Sequence, residues 1–76
     1  MRKIEELTNP NSCLFKARPD EMMFVLLGRD AAAPKAVRAW VRYRIDSGKN
    51  CIDDAQVREA LACADAMEAE QRAGMA

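Results

Sequence analysis

The strongest constraint on this chain lies in its last third. Between residues 53 and 71, Val57, Ala60, Leu61, Ala64 and Met67 recur every three or four positions in a stretch otherwise rich in charge and alanine. That spacing puts all five on one face of a helix, whereas a strand would scatter them over both faces. Ala55, Ala60, Ala62, Ala64, Ala66 and Ala69 keep the surface small, so another helix can approach closely. A helix of this kind draws its stability from packing rather than from propensity, so it needs a partner element.

Residues 34–47 supply one. Pro34 suits the first helical positions, Val37, Trp40, Val41 and Ile45 return at helical spacing, and Gly48 ends the run. Asp53 reads as the N-cap of the following helix, with Gln56 three residues on reaching back as in a capping box. A third helix is expected over residues 19–28. Pro19 stands at its start, Asp20 and Glu21 complement its dipole, Met22-Met23-Phe24-Val25-Leu26-Leu27 fills it, and Gly28 closes it. A buried strand is the competing reading of that apolar run. Residues 1–18 read as an irregular lead-in, with a dense turn signal at Thr8-Asn9-Pro10-Asn11-Ser12 and an apolar patch, Cys13-Leu14-Phe15, expected to tuck against the core. Ile4 and Leu7 could support one helical turn, and a frayed tail is expected over residues 72–76. The expectation is an all-α fold: one small domain, a compact bundle of about three helices, roughly 19–28, 34–47 and 53–71.

Composition narrows function mainly by exclusion. With 76 residues the core is small, so self-association or a partner could share the load. There is no histidine, which removes the commonest general base and metal ligand together. Cys13, Cys51 and Cys63 are widely spaced, odd in number and form no C-x-x-C pair, so neither a zinc site nor a fully paired disulfide framework is expected. Ser12 and Ser47 lack a nucleophile setting, and the three glycines form no phosphate-cradling loop. No catalytic residue, cofactor, metal or small-molecule substrate is therefore expected. The longest apolar run, residues 22–27, is too short to span a bilayer, and residues 1–6 lack the apolar region of a signal peptide. The expected setting is a reducing cytoplasm.

Twelve basic and twelve acidic residues give zero net charge, but the two signs are unevenly placed. Residues 1–49 carry ten basic and six acidic side chains, a net of +4; residues 50–76 carry two and six, a net of −4. On the 34–47 helix, Lys35, Arg38 and Arg42 share one arc beside the apolar face. Exposed acids at Asp20, Glu21, Asp30, Asp65 and Glu68, with apolar anchoring nearby, are the expected contacts for a protein partner. Solvated faces and intramolecular pairing are the plainer reading of both sets. Arg44 falls among Val37, Trp40 and Val41 on the helical wheel, so it should snorkel past Trp40, stack on its indole, or pair with a carboxylate of the last helix. An interface anchor is a further role for it. Cys63, Ala66 and Met67 edge the apolar stripe of the last helix; a twofold dimer across that edge, even a Cys63 disulfide, stands against a buried, inert thiol. A helix-turn-helix reading fits the layout poorly, because the helix opening Pro34-Lys35-Ala36-Val37 offers one polar reader and leaves only non-specific phosphate contact.

Several segments resemble a family of small proteins encoded in bacteriophages and prophages: Pro19-Asp20-Glu21, Phe24-Val25-Leu26-Leu27, Arg29-Asp30, Ala33-Pro34, Val37-Arg38 and Trp40, then Glu59-Ala60-Leu61, Cys63-Ala64 and Ala66-Met67-Glu68. Together they cover roughly residues 19–68. The family often has proline where this chain has Met22, a departure that moves the start of the first helix earlier here. Within that group the chain is similar to anti-CRISPR proteins directed at type I-C systems. The resemblance implies a non-enzymatic inhibitor that binds the host surveillance complex, Cascade, in the bacterial cytoplasm and blocks recruitment of target DNA. Against it stand a small DNA-associated phage regulator working through Lys35, Arg38 and Arg42, and a phage accessory or structural protein.

Overall fold

The computed structural model describes residues 1–74, and they are all-α: four helices and no strand among the described residues. The elements are α1 (Lys3–Thr8), α2 (Cys13–Lys16), α3 (Ala33–Asp46) and α4 (Ala55–Arg72). The two long helices lie within a residue or two of their expected bounds. They pack as an antiparallel pair around a core of Val41, Val57 and Ala60, with Val37, Ile45 and Leu61 half-buried against it. Ala33 and Ala64 are also buried. Every buried apolar side chain among the described residues belongs to α3 or α4. Alanine at 60 and 64 lets the backbones approach, and the two valines fill the space between them. Burying a valine contributes about 1.5–3 kcal/mol.

The link between α3 and α4 is held by polar groups. Gly48 takes a positive φ of 77°, a conformation that costs glycine little. Asn50 then bridges the two helices: its Oδ1 accepts from Arg44 Nε at 2.6 Å and its Nδ2 donates to Asp54 Oδ2 at 2.9 Å. The α4 N-cap is Asp54, one residue after the expected Asp53. Its Oδ2 accepts the Cys51 N–H at 2.9 Å, so the carboxylate faces the preceding turn and the expected box with Gln56 does not form. At the other end α4 continues to Arg72, where the chain was expected to fray, and Gln71 is engaged in tertiary bonds. The last two residues of the expected frayed tail lie outside the described residues.

Residues 1–32 depart most from expectation. The lead-in contains two short helices, α1 and α2, joined by the anticipated turn. The Asn11 N–H donates to Asn9 Oδ1, and the buried Ser12 hydroxyl donates to the Glu6 carbonyl at 2.7 Å. The Cys13-Leu14-Phe15 patch does not tuck in: Leu14 and Phe15 are exposed.

The helix expected over 19–28 does not form, so in place of the expected bundle of about three helices there is one long pair and two short helices. Pro19 occupies a turn in which the Glu21 N–H donates to the Arg18 carbonyl at 3.0 Å, while Glu21 Oε1 accepts the Arg18 N–H. Gly28 likewise sits in a turn, closed by the Asp30 N–H to the Leu27 carbonyl. Proline favours turns as readily as helix starts, and the turns at Arg18–Glu21 and Leu27–Asp30 leave only five residues between them. The alternative of a buried strand also fails, because the segment is exposed.

Candidate functional site

The residues singled out as contacts divide by location. Asp65 and Glu68 project from α4 onto Arg38 of α3: one guanidinium nitrogen, Nη2, donates to Asp65 Oδ1 at 2.8 Å and to Glu68 Oε1 at 2.5 Å. The three-residue spacing puts both carboxylates on one side of α4, opposite the middle of α3. The hydrogen bond from Arg38 holds the Glu68 carboxyl below the usual carboxylate range, and the two acids raise Arg38, Glu68 more than Asp65. Two residues of the acidic set are thus joined to the central residue of the basic set. Lys35 and Arg42 are exposed on either side and form no ion pair among the described residues.

Asp20, Glu21 and Asp30 lie elsewhere, at the two ends of segment 22–27. Glu21 pairs with Arg18 at 3.9 Å. Asp30 Oδ1 accepts the Ala32 N–H at 2.9 Å, which leads the chain into α3. Asp20 is exposed. The far end of the segment is anchored to α4, where Gln71 Nε2 donates to the Gly28 carbonyl at 2.7 Å and the Asp30 carbonyl at 3.0 Å. A Cβ on Gly28 would stand 3.4 Å from Met67 Cγ, so this turn lies directly on α4.

Between these anchors the apolar side chains face solvent. Met22 is 95% exposed, Phe24 88% and Val25 70%; Met23 and Leu27 are about half exposed, and Leu26 is half-buried. Among the described residues, no hydrogen bond is made by or to the backbone of residues 22–26. The arrangement is an apolar strip that leaves a local turn at Arg18–Glu21 and is anchored to α4 at its far end, with Asp20 and Glu21 before it and Arg29 and Asp30 after it. Sequence reasoning picked out the bordering acids and read the strip itself as interior. Its continuous apolar character, with no polar alternation, gives a buried element as the default.

The remaining positions are placed as follows. Arg44 stacks over Trp40, 5.3 Å from the ring centroid, and is completed by Asn50 rather than by a carboxylate of α4. Cys63 is half-buried, Ala66 exposed, and Met67 half-buried against the Gly28 turn. The edge expected to pair with a second copy is therefore partly covered by the chain itself. All three cysteines are free thiols. Two depressions open to solvent, of about 270 and 280 Å³, flank the strip, one beside Gly28 and Gln71 and one between α2 and Met22. No helix among the described residues is long and apolar enough to cross a membrane. Comparison with family models, curated proteins and solved structures finds no match to this chain.

Proposed function

We propose that this chain is a non-enzymatic, phage-encoded inhibitor that binds the type I-C CRISPR complex Cascade in the bacterial cytoplasm and blocks target DNA recognition. The supporting observation is the exposed strip 22–27 with Asp20, Glu21 and Asp30 at its ends. Apolar side chains of this size anchor protein interfaces, while bordering acids suit a partner surface that is basic because it receives DNA. Carboxylates there compete with phosphates for the same cations. The resemblance of segments 19–68 to phage anti-CRISPR proteins supplies the identity of the partner.

The rival reading, DNA contact through Lys35, Arg38 and Arg42, loses its middle residue to Asp65 and Glu68. Two acids beside two remaining cations leave little net attraction for a phosphate backbone. The test is co-purification of the protein with type I-C Cascade, followed by capture of target duplex by the loaded complex. The expected result is a stable complex that no longer captures DNA, and no duplex binding by the protein alone at low salt. Normal capture by a saturated complex overturns the proposal.

A further inference from the structure

We propose that residues 22–27 are a cleavage site, cut in the folded chain at Phe24–Val25. The enzyme is an endopeptidase that takes a large apolar side chain just before the scissile bond, and the cut frees residues 1–24 from the helical pair. A protease cleft accepts its substrate as an extended strand, so a cuttable bond needs unpaired N–H and C=O groups as well as an accessible side chain. Residues 22–26 meet both demands. Among the described residues their backbone makes no hydrogen bond, and Phe24 and Val25 are 88% and 70% exposed. A cleft taking about three residues on each side of the bond breaks one backbone hydrogen bond, from the Asp30 N–H to the Leu27 carbonyl. Exposure alone would select other places as well, since Tyr43 is 68% exposed and Phe15 56%. Tyr43 lies in α3, however, whose unwinding takes Val41 out of the core. The N–H groups of Phe15, Lys16 and Ala17 are bonded to Ser12 and Cys13 carbonyls.

The step is hydrolysis, with water as the co-reactant and the enzyme regenerated. The C–N bond between Phe24 and Val25 breaks, the water oxygen completes a Phe24 carboxylate, and both water protons end on the Val25 nitrogen as an α-ammonium group. The two fragments are held unequally. The larger keeps the core of Val41, Val57 and Ala60 and the bonds from Gln71 to the Gly28 and Asp30 carbonyls. In the smaller, α1 and α2 pack on each other and neither packs on α3 or α4. Among the described residues, Arg2 with Glu70 is the one ionic or hydrogen-bonded tie from residues 1–24 to the rest, and an exposed pair of that kind holds weakly. One cut therefore removes Asp20, Glu21 and half of the strip together while leaving the buried core whole. This inference goes beyond the Cascade reading and does not rest on it.

The test is limited digestion of the whole protein by chymotrypsin, whose primary pocket is a hydrophobic slot, followed over time by mass spectrometry. The first cut is expected at Phe24–Val25, giving residues 1–24 and 25–76, with the Tyr43–Arg44 bond still intact. On size exclusion the larger fragment should elute without the smaller and keep its helical circular dichroism. Val25→Pro should abolish the cut at that bond. Proline removes the N–H that the cleft uses, yet costs the folded chain no hydrogen bond at this position. Tyr43→Ala should leave the first cut unchanged. Val57→Ala separates cutting of the folded chain from cutting of an unfolded fraction, because only the second speeds up as stability falls. The rate at Phe24–Val25 should be the same in that variant. A first cut outside residues 22–27, equal cutting at Tyr43, or a rate that climbs in Val57→Ala overturns the site. A first cut elsewhere within 22–27 overturns the choice of bond, and co-elution of the two fragments overturns the release.

Discussion

Residues 1–32 and residues 33–72 are built on opposite plans. The second region buries Val41, Val57, Ala60 and Ala64 between two long helices, while Trp40, Tyr43 and Ile52 stay exposed at its surface. The first buries no apolar side chain and leaves Ile4, Leu7, Leu14, Phe15, Met22, Phe24 and Val25 exposed. It is held by polar contacts instead: local ones, the Ser12 hydroxyl on the Glu6 carbonyl and the turns at Arg18 and Leu27, and two to α4, Gln71 clasping the Gly28 turn and an ion pair from Arg2 to Glu70. A region whose apolar surface is not spent on its own core has that surface available for another molecule. The difference assigns the buried core to the helical pair, and the proposed inhibitor reading assigns recognition to the N-terminal region.

The comparison can be broken most forcefully at its stable side. Val57 is fully buried, and Val57→Ala removes two methyl groups from the tightest part of the core. The expected loss is about 2 kcal/mol, out of a total on the order of 5 kcal/mol for a chain this small. Thermal unfolding should show a drop of about 10 °C. Ser12→Ala should act on the other region alone. It removes the one buried polar side chain of residues 1–32 and a hydrogen bond worth about 1 kcal/mol. Faster amide exchange over residues 3–16, with little change in the global midpoint, is the expected signature.

Smaller effects sharpen the contrast further. Glu68 is held below the usual carboxylate range by Arg38, and Asp54 likewise by the Cys51 N–H and then Asn50. A carboxyl depressed in the folded state stabilises it above the unfolded pKa, and that stability is lost as pH falls through the folded value. Midpoints should therefore be level from neutral pH down to about 5 and decline below about pH 4. Arg38→Ala should flatten the part of that decline due to Glu68, with only a small change at neutral pH because the pair is exposed to solvent.

How much of this was legible in the sequence follows the same division. The helical pair was readable because period and packing agree: Val57, Ala60, Leu61 and Ala64 permit one element, and α3 presents the matching face. The segment 19–28 was not, because Pro19 and Gly28 bound a turn and a helix equally well, and only a surface to pack against decides between them. The capping residue shifted from Asp53 to Asp54, since adjacent acids both satisfy the pattern and the Cys51–Asp54 turn makes the choice. Arg38, Asp65 and Glu68 were each found, with intramolecular pairing as the plainer reading of both charge sets, but which acids meet which cation was left open. Their union depends on the register of α3 against α4, which no single helix encodes. The +4 and −4 halves were the available sign that the two helices would neutralise one another.

The most direct test of the account is one variant read in two ways. Phe24→Glu puts a charge in the middle of the strip, at a side chain 88% exposed. In dilute solution it should keep the helicity and unfolding midpoint of the parent to within a degree or two, while losing the ability to bind Cascade and to prevent capture of target DNA. A variant that unfolds would place Phe24 in the stabilising core, and a folded variant that still blocks DNA capture would place recognition elsewhere. Either result contradicts the division of labour between the two regions.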